Sequence, residues 1–305
     1  MGTPEISATC LSRLLDDGHE VVAVVTREDK PRGRGNVMTP TATKVVAQNA
    51  GIPVYEPKTL KDEAFAELLS GIAPDIIVVV AYGKILPPSV LSSAPYGCVN
   101  LHVSLLPKYR GAAPMQRAIM EGERETGVTV MYMNEGLDTG DIISVSKFPI
   151  GAEDDFETIH DRSAEIGGAL LSSTLRDIES GRATRTPQDH TLATYAQKIE
   201  KSDCKIDFSM SAERLDCIIR GVTPIPGAFA YLNGKMLKIF RATPVSLSGE
   251  AGRVLECDGV GEGSFTVACG EGALKIRGVI PEGKGRMSAG DFIRGRKIAE
   301  GDILS

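Results

Sequence analysis

Four short runs rich in valine and isoleucine, "EVVAVVT" (20–26), "IPVYE" (52–56), "DIIVVVAY" (75–82) and "GCVNLHVS" (97–104), alternate with helical patterns across the first hundred residues. A strand covered by helices on both faces is apolar on both faces, which is how these runs read. The stretches between them, "PEISATCLSRLLDDG", "TATKVVAQNAG" and "LKDEAFAELLSG", have helical spacing and close on Gly18, Gly51 and Gly71. Glycine suits the left-handed turn that ends a helix. This alternation predicts β-α-β units in a Rossmann-like, doubly wound, mostly parallel α/β sheet. Ligands of such sheets bind at the carboxyl ends of the strands. "GVTVMYMN" and "DIISVSKF" read as further strands, followed by a long helix from about Phe156 to Ser180. The opening "MGTP" departs from the pattern, because it leads directly into a helix where a doubly wound sheet has its central first strand. About seven strand residues ahead of Met1 are therefore expected to complete the sheet, from the usual strand length.

After Gly181 the texture changes. "GRATRTPQDHTLATYAQKI" has weak periodicity and reads as a linker over 182–200. From Lys201 there is one helical segment, "SAERLDCIIRG", and then short strands separated by glycine turns. "GAFAYLNGKMLKIFRAT" is a hairpin turning on Asn233-Gly234. Regular short strands of this kind predict a small antiparallel barrel over 201–305. The organisation expected is a first domain over 1–181, the linker and the barrel.

Several function classes lose their support. No apolar run is long enough to span a bilayer, and no signal-peptide pattern opens the chain. The cysteines at 10, 98, 204, 217, 257 and 269 form no C-x-x-C pair, so the pattern suggests neither zinc nor a disulfide framework, and a reducing cytoplasm is the simplest setting. A phosphate-binding G-x-x-x-x-G-K-[ST], a G-x-G-x-x-G after a strand and a G-x-S-x-G elbow are all missing; "GVGEGS" at 259 is a turn. Residues 1–199 carry a charge of −7 and residues 200–305 a charge of +1. Within 275–297, Lys275, Arg277, Lys284, Arg286, Arg294, Arg296 and Lys297 face only two acids. Such a patch is commonly a solvated face, but it also suits a polyanion, whose binding releases counterions.

Chemistry concentrates in "CVNLHVSLLPKYRGAAPMQ" (98–116). Asn100 and His102, two apart on a strand, point to one face. An amide donor beside an imidazole can hold an oxyanion and manage a proton near neutral pH. "NEGLDTGDII" offers Asp138 and Asp141 in a glycine-bracketed loop, and a carboxylate beside histidine fixes its tautomer. Taken alone, N-x-H is most often a satisfied polar pair and "GLDTGD" a turn; their occurrence together at one sheet edge is what points to a site. His19, His160 and His190 fall in a turn, a helix and the linker and are assigned to structure.

These same stretches resemble methionyl-tRNA formyltransferases: "GTPEI", "DKPRGRGNVMTPTATK", "VVVAYGKILP", "NLHVSLLPKYRGAAPMQRAI", "NEGLDTGDII" and "TYAQKIEKSDCKIDFSMSAERLDCIIRGVTPIPGA", in order along nearly the whole chain. N-x-H-x-S-L-L-P is common to formyl-folate transferases; "RGAAP" with the second-half motifs points to the tRNA family. The resemblance implies a Rossmann-like domain that binds 10-formyltetrahydrofolate and an OB-like domain that contacts initiator methionyl-tRNA. The enzyme is then a cytoplasmic monomer that uses no metal. It matches Asn100, His102 and Asp138 to the catalytic trio, and Ser104, Leu105, Leu106 and Pro107 to the folate motif. Tyr82 and Ile85 would pack against the pterin, though ordinary core packing explains them nearly as well. Arg32 and Arg34, in a glycine-rich loop, would engage the acceptor end of the tRNA. Val103 stands where a small residue is usual, and Phe208 and Ile225 stand where Trp is common. Three rivals remain: glycinamide ribonucleotide formyltransferase, which needs only the first domain; a sugar-nucleotide or other small-molecule N-formyltransferase using the same folate site; and a non-enzymatic RNA-binding barrel protein.

Overall fold

In the computed structural model, which describes residues 1–32 and 35–305, the chain forms two units, each drawn from more than one stretch of sequence. The first holds Met1–Pro114, Glu125–Pro149 and His160–Ala196; the second holds Met115–Arg124, Ile150–Ile159 and Gln197–Ser305.

The first unit contains β1 (Val24–Val25), β2 (Lys30–Arg32), β3 (Val37–Thr39), β4 (Val54–Tyr55), β5 (Ile77–Val80), β6 (Cys98–His102), β7 (Arg110–Gly111), β8 (Glu125–Tyr132), β9 (Ile142–Pro149) and β10 (Tyr195–Ala196). Its helices are α1 (Glu5–Asp16), α2 (Ala42–Asn49), α3 (Glu63–Ile72) and α4 (Pro88–Leu91); α5 (Pro114–Met120) and α6 (Phe156–Glu179) each lie partly in it. Helix starts follow capping chemistry: Thr41 Oγ1 accepts from Lys44 N at 3.2 Å and Asp62 Oδ1 from Phe65 N at 3.0 Å. Gly71 lies inside α3, not at its end; Ala73 takes the left-handed conformation there, with φ 48°.

Parallel pairs join β1 to β4 and β5 to β6. Beyond β6 the sheet turns antiparallel, in the order β5-β6-β8-β9. The link between β8 and β9 is a short loop, which can only reverse the chain; a parallel return would need a crossover helix. Between β1 and β5 lie Met1 and Gly2: Gly2 N donates to Val25 O at 3.0 Å and Val80 N donates to Met1 O at 2.9 Å. Beside them is a cavity of about 620 Å³ whose walls include Cys10, Leu14, Ala23, Ile76 and Leu171. Val25, Phe65, Leu69, Ile77 and Val79 form the core under β5. The stretch expected as a linker is bonded into this unit through Ala196: β10 pairs in parallel with β7.

The second unit is built on β11 (Ala228–Leu232), β12 (Lys235–Val245), β13 (Val254–Asp258), β14 (Ser264–Ala268), β15 (Ala273–Pro281) and β16 (Met287–Ser288), in the order β11-β12-β15-β14-β13 with β16 on β15. The β11–β12 hairpin turns on Asn233 and Gly234, both at positive φ, the geometry of a type I′ turn. Leu304 bridges to Leu232 and Ile303 to Arg253, so the end of the chain touches β11 and the start of β13. Helix α7 (Ala212–Gly221), capped by Ser211, buries Leu215, Ile218 and Ile219 against this sheet, and α8 (Ala289–Arg294) is capped by Ser288. Phe208 is in the core, while Ile225 is at the surface. Met120 joins that core, Arg117 pairs with Asp203 at 2.8 Å, and Arg214 bonds to the Met120 carbonyl.

Candidate active site

Strand β6 delivers Asn100 and His102 to its carboxyl end, in register with Met131 and Thr129 of β8. His102 is buried, and its Nε2 lies 2.9 Å from Tyr109 O. A carbonyl only accepts, so Nε2 carries the hydrogen and donates. Nδ1 lies 3.7 Å from Asp138 Oδ2, too far for a hydrogen bond but within charge-pair distance. A proton on Nδ1 would lie directly opposite that carboxylate. Asp138 sits in the loop between β8 and β9 with φ 52°. Its Oδ2 also accepts from Gly111 N at 2.8 Å. Gly111 has φ 115°, and a Cβ there would come 2.9 Å from Ala196 O, so glycine is required twice over. Asn100 is half-buried, and its side chain has no hydrogen-bond partner among the described residues.

The S-L-L-P turn after β6 is tied down from beneath. Ser104 is fully buried and donates from Oγ to Lys108 O at 2.7 Å. Thr129 on β8 clamps the turn with one hydroxyl: Oγ1 donates to Ser104 O at 2.7 Å and accepts from Leu106 N at 3.3 Å. Leu106 is buried, while Leu105 and Pro107 are half-exposed. Gly127 makes room for the turn, since a Cβ would lie 2.4 Å from Leu105 Cδ2 and 2.3 Å from Ser146 O. Thr129→Val keeps the shape but strands a buried carbonyl and amide. It is expected to cost about 1–3 kcal/mol, measured as a shift of the urea unfolding midpoint; an unchanged midpoint would remove Thr129 as the clamp.

The other sequence candidates are placed differently. Tyr82 is only 1% exposed and packs among Leu60, Phe65, Leu69 and Leu86, so its ring is core, and its buried hydroxyl has no hydrogen-bond partner among the described residues. Ile85 is 87% exposed. Alternate residues of "YGKIL" thus point in and out, with Leu86 taking the inward position. Arg32 ends β2, in a hairpin with β3; Arg34 lies outside the described residues. His19 bonds to Ser172 Oγ at 2.9 Å, and His160 lies beside Asp161. His190 accepts from Arg110 Nη2 at 3.0 Å. Sequence reasoning missed Tyr109 and Gly111, which act through backbone groups, and Arg110 and Gln188, whose link spans 78 residues. The described residues contain no cluster able to hold a metal ion, and no helix long and apolar enough to cross a membrane.

A formyl transferase family model matches residues 1–175, and the formyl transferase C-terminal domain matches 198–297. Over its whole length the chain is 45% identical to methionyl-tRNA formyltransferase of Citrifermentans bemidjiense, covering 95% of that protein. The chain belongs to the methionyl-tRNA formyltransferase family. Its likeness to the family extends to the Geotalea uraniireducens member, 44% identical over all of this chain and 96% of the other. Among solved structures, the N-formyltransferase of Helicobacter canadensis, in complex with folinic acid and dTDP-3-aminofucose, superposes with a TM-score of 0.66. It covers 90% of this chain and 96% of its own, at 21% identity, and so shares the fold.

Proposed function

We propose that this chain transfers the formyl group of 10-formyltetrahydrofolate to the free amino group of methionyl-initiator tRNA, with Asn100, His102 and Asp138 carrying the chemistry. One observation carries the assignment of roles: a buried histidine is held between a carbonyl and a carboxylate at the exit of β6, two residues along the strand from an amide with no hydrogen-bond partner among the described residues. The methionyl amine attacks the formyl carbon, the new C–N bond forms, and negative charge builds on the formyl oxygen. The uncommitted Asn100 amide donates to that oxygen. The imidazole N–H expected to join it is held by Tyr109 O in this structure, and serves the oxyanion only by exchanging that partner. The His102–Asp138 pair takes the amine proton. The bond to the folate nitrogen then breaks and that nitrogen takes a proton. Ser104, Leu105, Leu106 and Pro107 form the turn against which the folate packs; its rigidity, set by Thr129 and Gly127, favours a preformed site. Tyr82 supports this region from within the core, and Ile85 is free to meet the pterin.

The second unit is read as OB-like: its antiparallel sheet runs β11-β12-β15-β14-β13, and the chain end bridges to Leu232 of β11 and to Arg253 just before β13, at the two ends of that order, which supports a barrel-like closure. Its tRNA-facing charge comes from the exposed Lys284, Arg286, Arg294, Arg296 and Lys297. The resemblance separately assigns Arg32 and Arg34 to the acceptor end of the tRNA. The reading is of a cytoplasmic monomer. The test is a formylation assay with charged initiator and elongator tRNAs in parallel, and an amino-sugar nucleotide as the third substrate. Transfer to the initiator tRNA above the elongator is expected. Transfer to the amino sugar alone would replace this reading with a small-molecule formyltransferase.

A further inference from the structure

Residues 182–200 look like a spacer in the sequence, yet within them lies a side chain that is only 7% exposed: Gln188. All of its hydrogen-bonding capacity is used. Oε1 accepts from Arg110 Nε and Nη2 at 3.2 and 2.6 Å. Nε2 donates to Asp138 O at 2.9 Å and to Gly140 O at 2.7 Å. A guanidinium only donates and a carbonyl only accepts, so the amide has one possible orientation. Arg110 is itself 2% exposed and has no carboxylate partner among the described residues; Gln188 and His190 hold its charge. A buried cation held only by neutral acceptors is a costly arrangement, stable only with full hydrogen bonding.

The position of this network matters. Asp138 and Gly140 bracket the turn that presents the Asp138 carboxylate, and Asp138 is in the left-handed region, where a residue stays only if its surroundings hold it. The same segment grips the other side of the histidine. Thr194 O accepts from Arg110 N at 2.9 Å, Thr194 Oγ1 accepts from Tyr109 N at 2.9 Å, and Ala196 O accepts from Ala112 N at 2.9 Å. Both groups that face the His102 imidazole, the Tyr109 carbonyl and the Asp138 carboxylate, are thereby anchored to residues 188–196.

We propose that Gln188 is a positioning residue for formyl transfer: it latches the Asp138 turn to Arg110 and so fixes the carboxylate opposite His102. The inference rests on the formyl-transfer reading above. Gln188→Glu separates the two arms of the latch. Its carboxylate still accepts from Arg110, so the buried charge keeps a partner, but it cannot donate to Asp138 O or Gly140 O. Formylation kinetics and their pH profile, with thermal unfolding, are compared for wild type, Gln188→Glu, Asp138→Asn and the double variant. Gln188→Glu is expected to lower kcat about tenfold to a hundredfold, the scale of an ångström's misplacement, with KM for both substrates within about twofold and a displaced pH profile. Because the latch acts through Asp138, adding Gln188→Glu to Asp138→Asn should lower kcat no further. An equal loss in both backgrounds, or a fall in Tm with wild-type kcat and pH profile, overturns the proposal. A wild-type chain inactive with methionyl-initiator tRNA would instead overturn the formyl-transfer reading, and this inference with it.

Discussion

His102→Ala is expected to lower kcat for formylation about a thousandfold, within the range that positioned acid–base groups supply. Affinity for the charged tRNA should change less than about twofold, because the imidazole is buried and offers little surface to a macromolecule. The variant also removes the hydrogen bond from Nε2 to the Tyr109 carbonyl, a cost of about 1 kcal/mol. Thermal unfolding run beside single-turnover kinetics and tRNA binding therefore separates lost chemistry from lost fold. A variant that turns over within tenfold of wild type would take His102 out of the mechanism.

Asp138→Asn is the second large effect. The amide oxygen can still accept from Gly111 N, so the loop should keep its conformation and Tm should hold within a few degrees. What disappears is the negative charge 3.7 Å from Nδ1. Removing the carboxylate that orients a catalytic histidine costs about ten-thousandfold in the serine protease triad. A loss of about a hundredfold to a thousandfold is expected here, since the pair is at charge-pair distance without a direct hydrogen bond. KM for folate and tRNA should be little altered. If kcat falls less than tenfold, or if the loss appears wholly in KM, Asp138 is a binding or structural residue and the proton must leave by another route.

The parts of this protein that were legible before the structure are those governed by local rules. Period and glycine punctuation located β5, β6, α1 and α2, because a buried strand and a capped helix are each specified by a few adjacent residues. The pair Asn100 and His102 was legible because alternation on a strand fixes which face two side chains share. The glycine brackets offered Asp138 and Asp141 alike, and the family resemblance singled out Asp138; the left-handed conformation it adopts is of the kind those turns favour. Illegible were the features set by distant partners. Tyr82 sits in an apolar run beside the site, and only the packing of α3 against β5 reveals that its ring is enclosed. Gln188 has no periodicity around it; its role depends on Arg110 and Asp138, 78 and 50 residues away. The antiparallel edge β8–β9 escaped the helix-strand count because the apolar pattern of a buried strand does not encode its direction.

The assignment of residues 115–124 and 150–159 to the second unit has a consequence for biosynthesis. Emerging from a ribosome, Met120 and Arg117 are translated long before the residues that receive them: Asp203 follows Arg117 by 86 positions and Arg214 follows Met120 by 94. Through that interval a hydrophobic side chain and an ion-pair donor wait without their mates. Maturation of the carboxyl-terminal half is thus contingent on segments made in the amino-terminal half, and a fragment severed at Gln197 would be deprived of both.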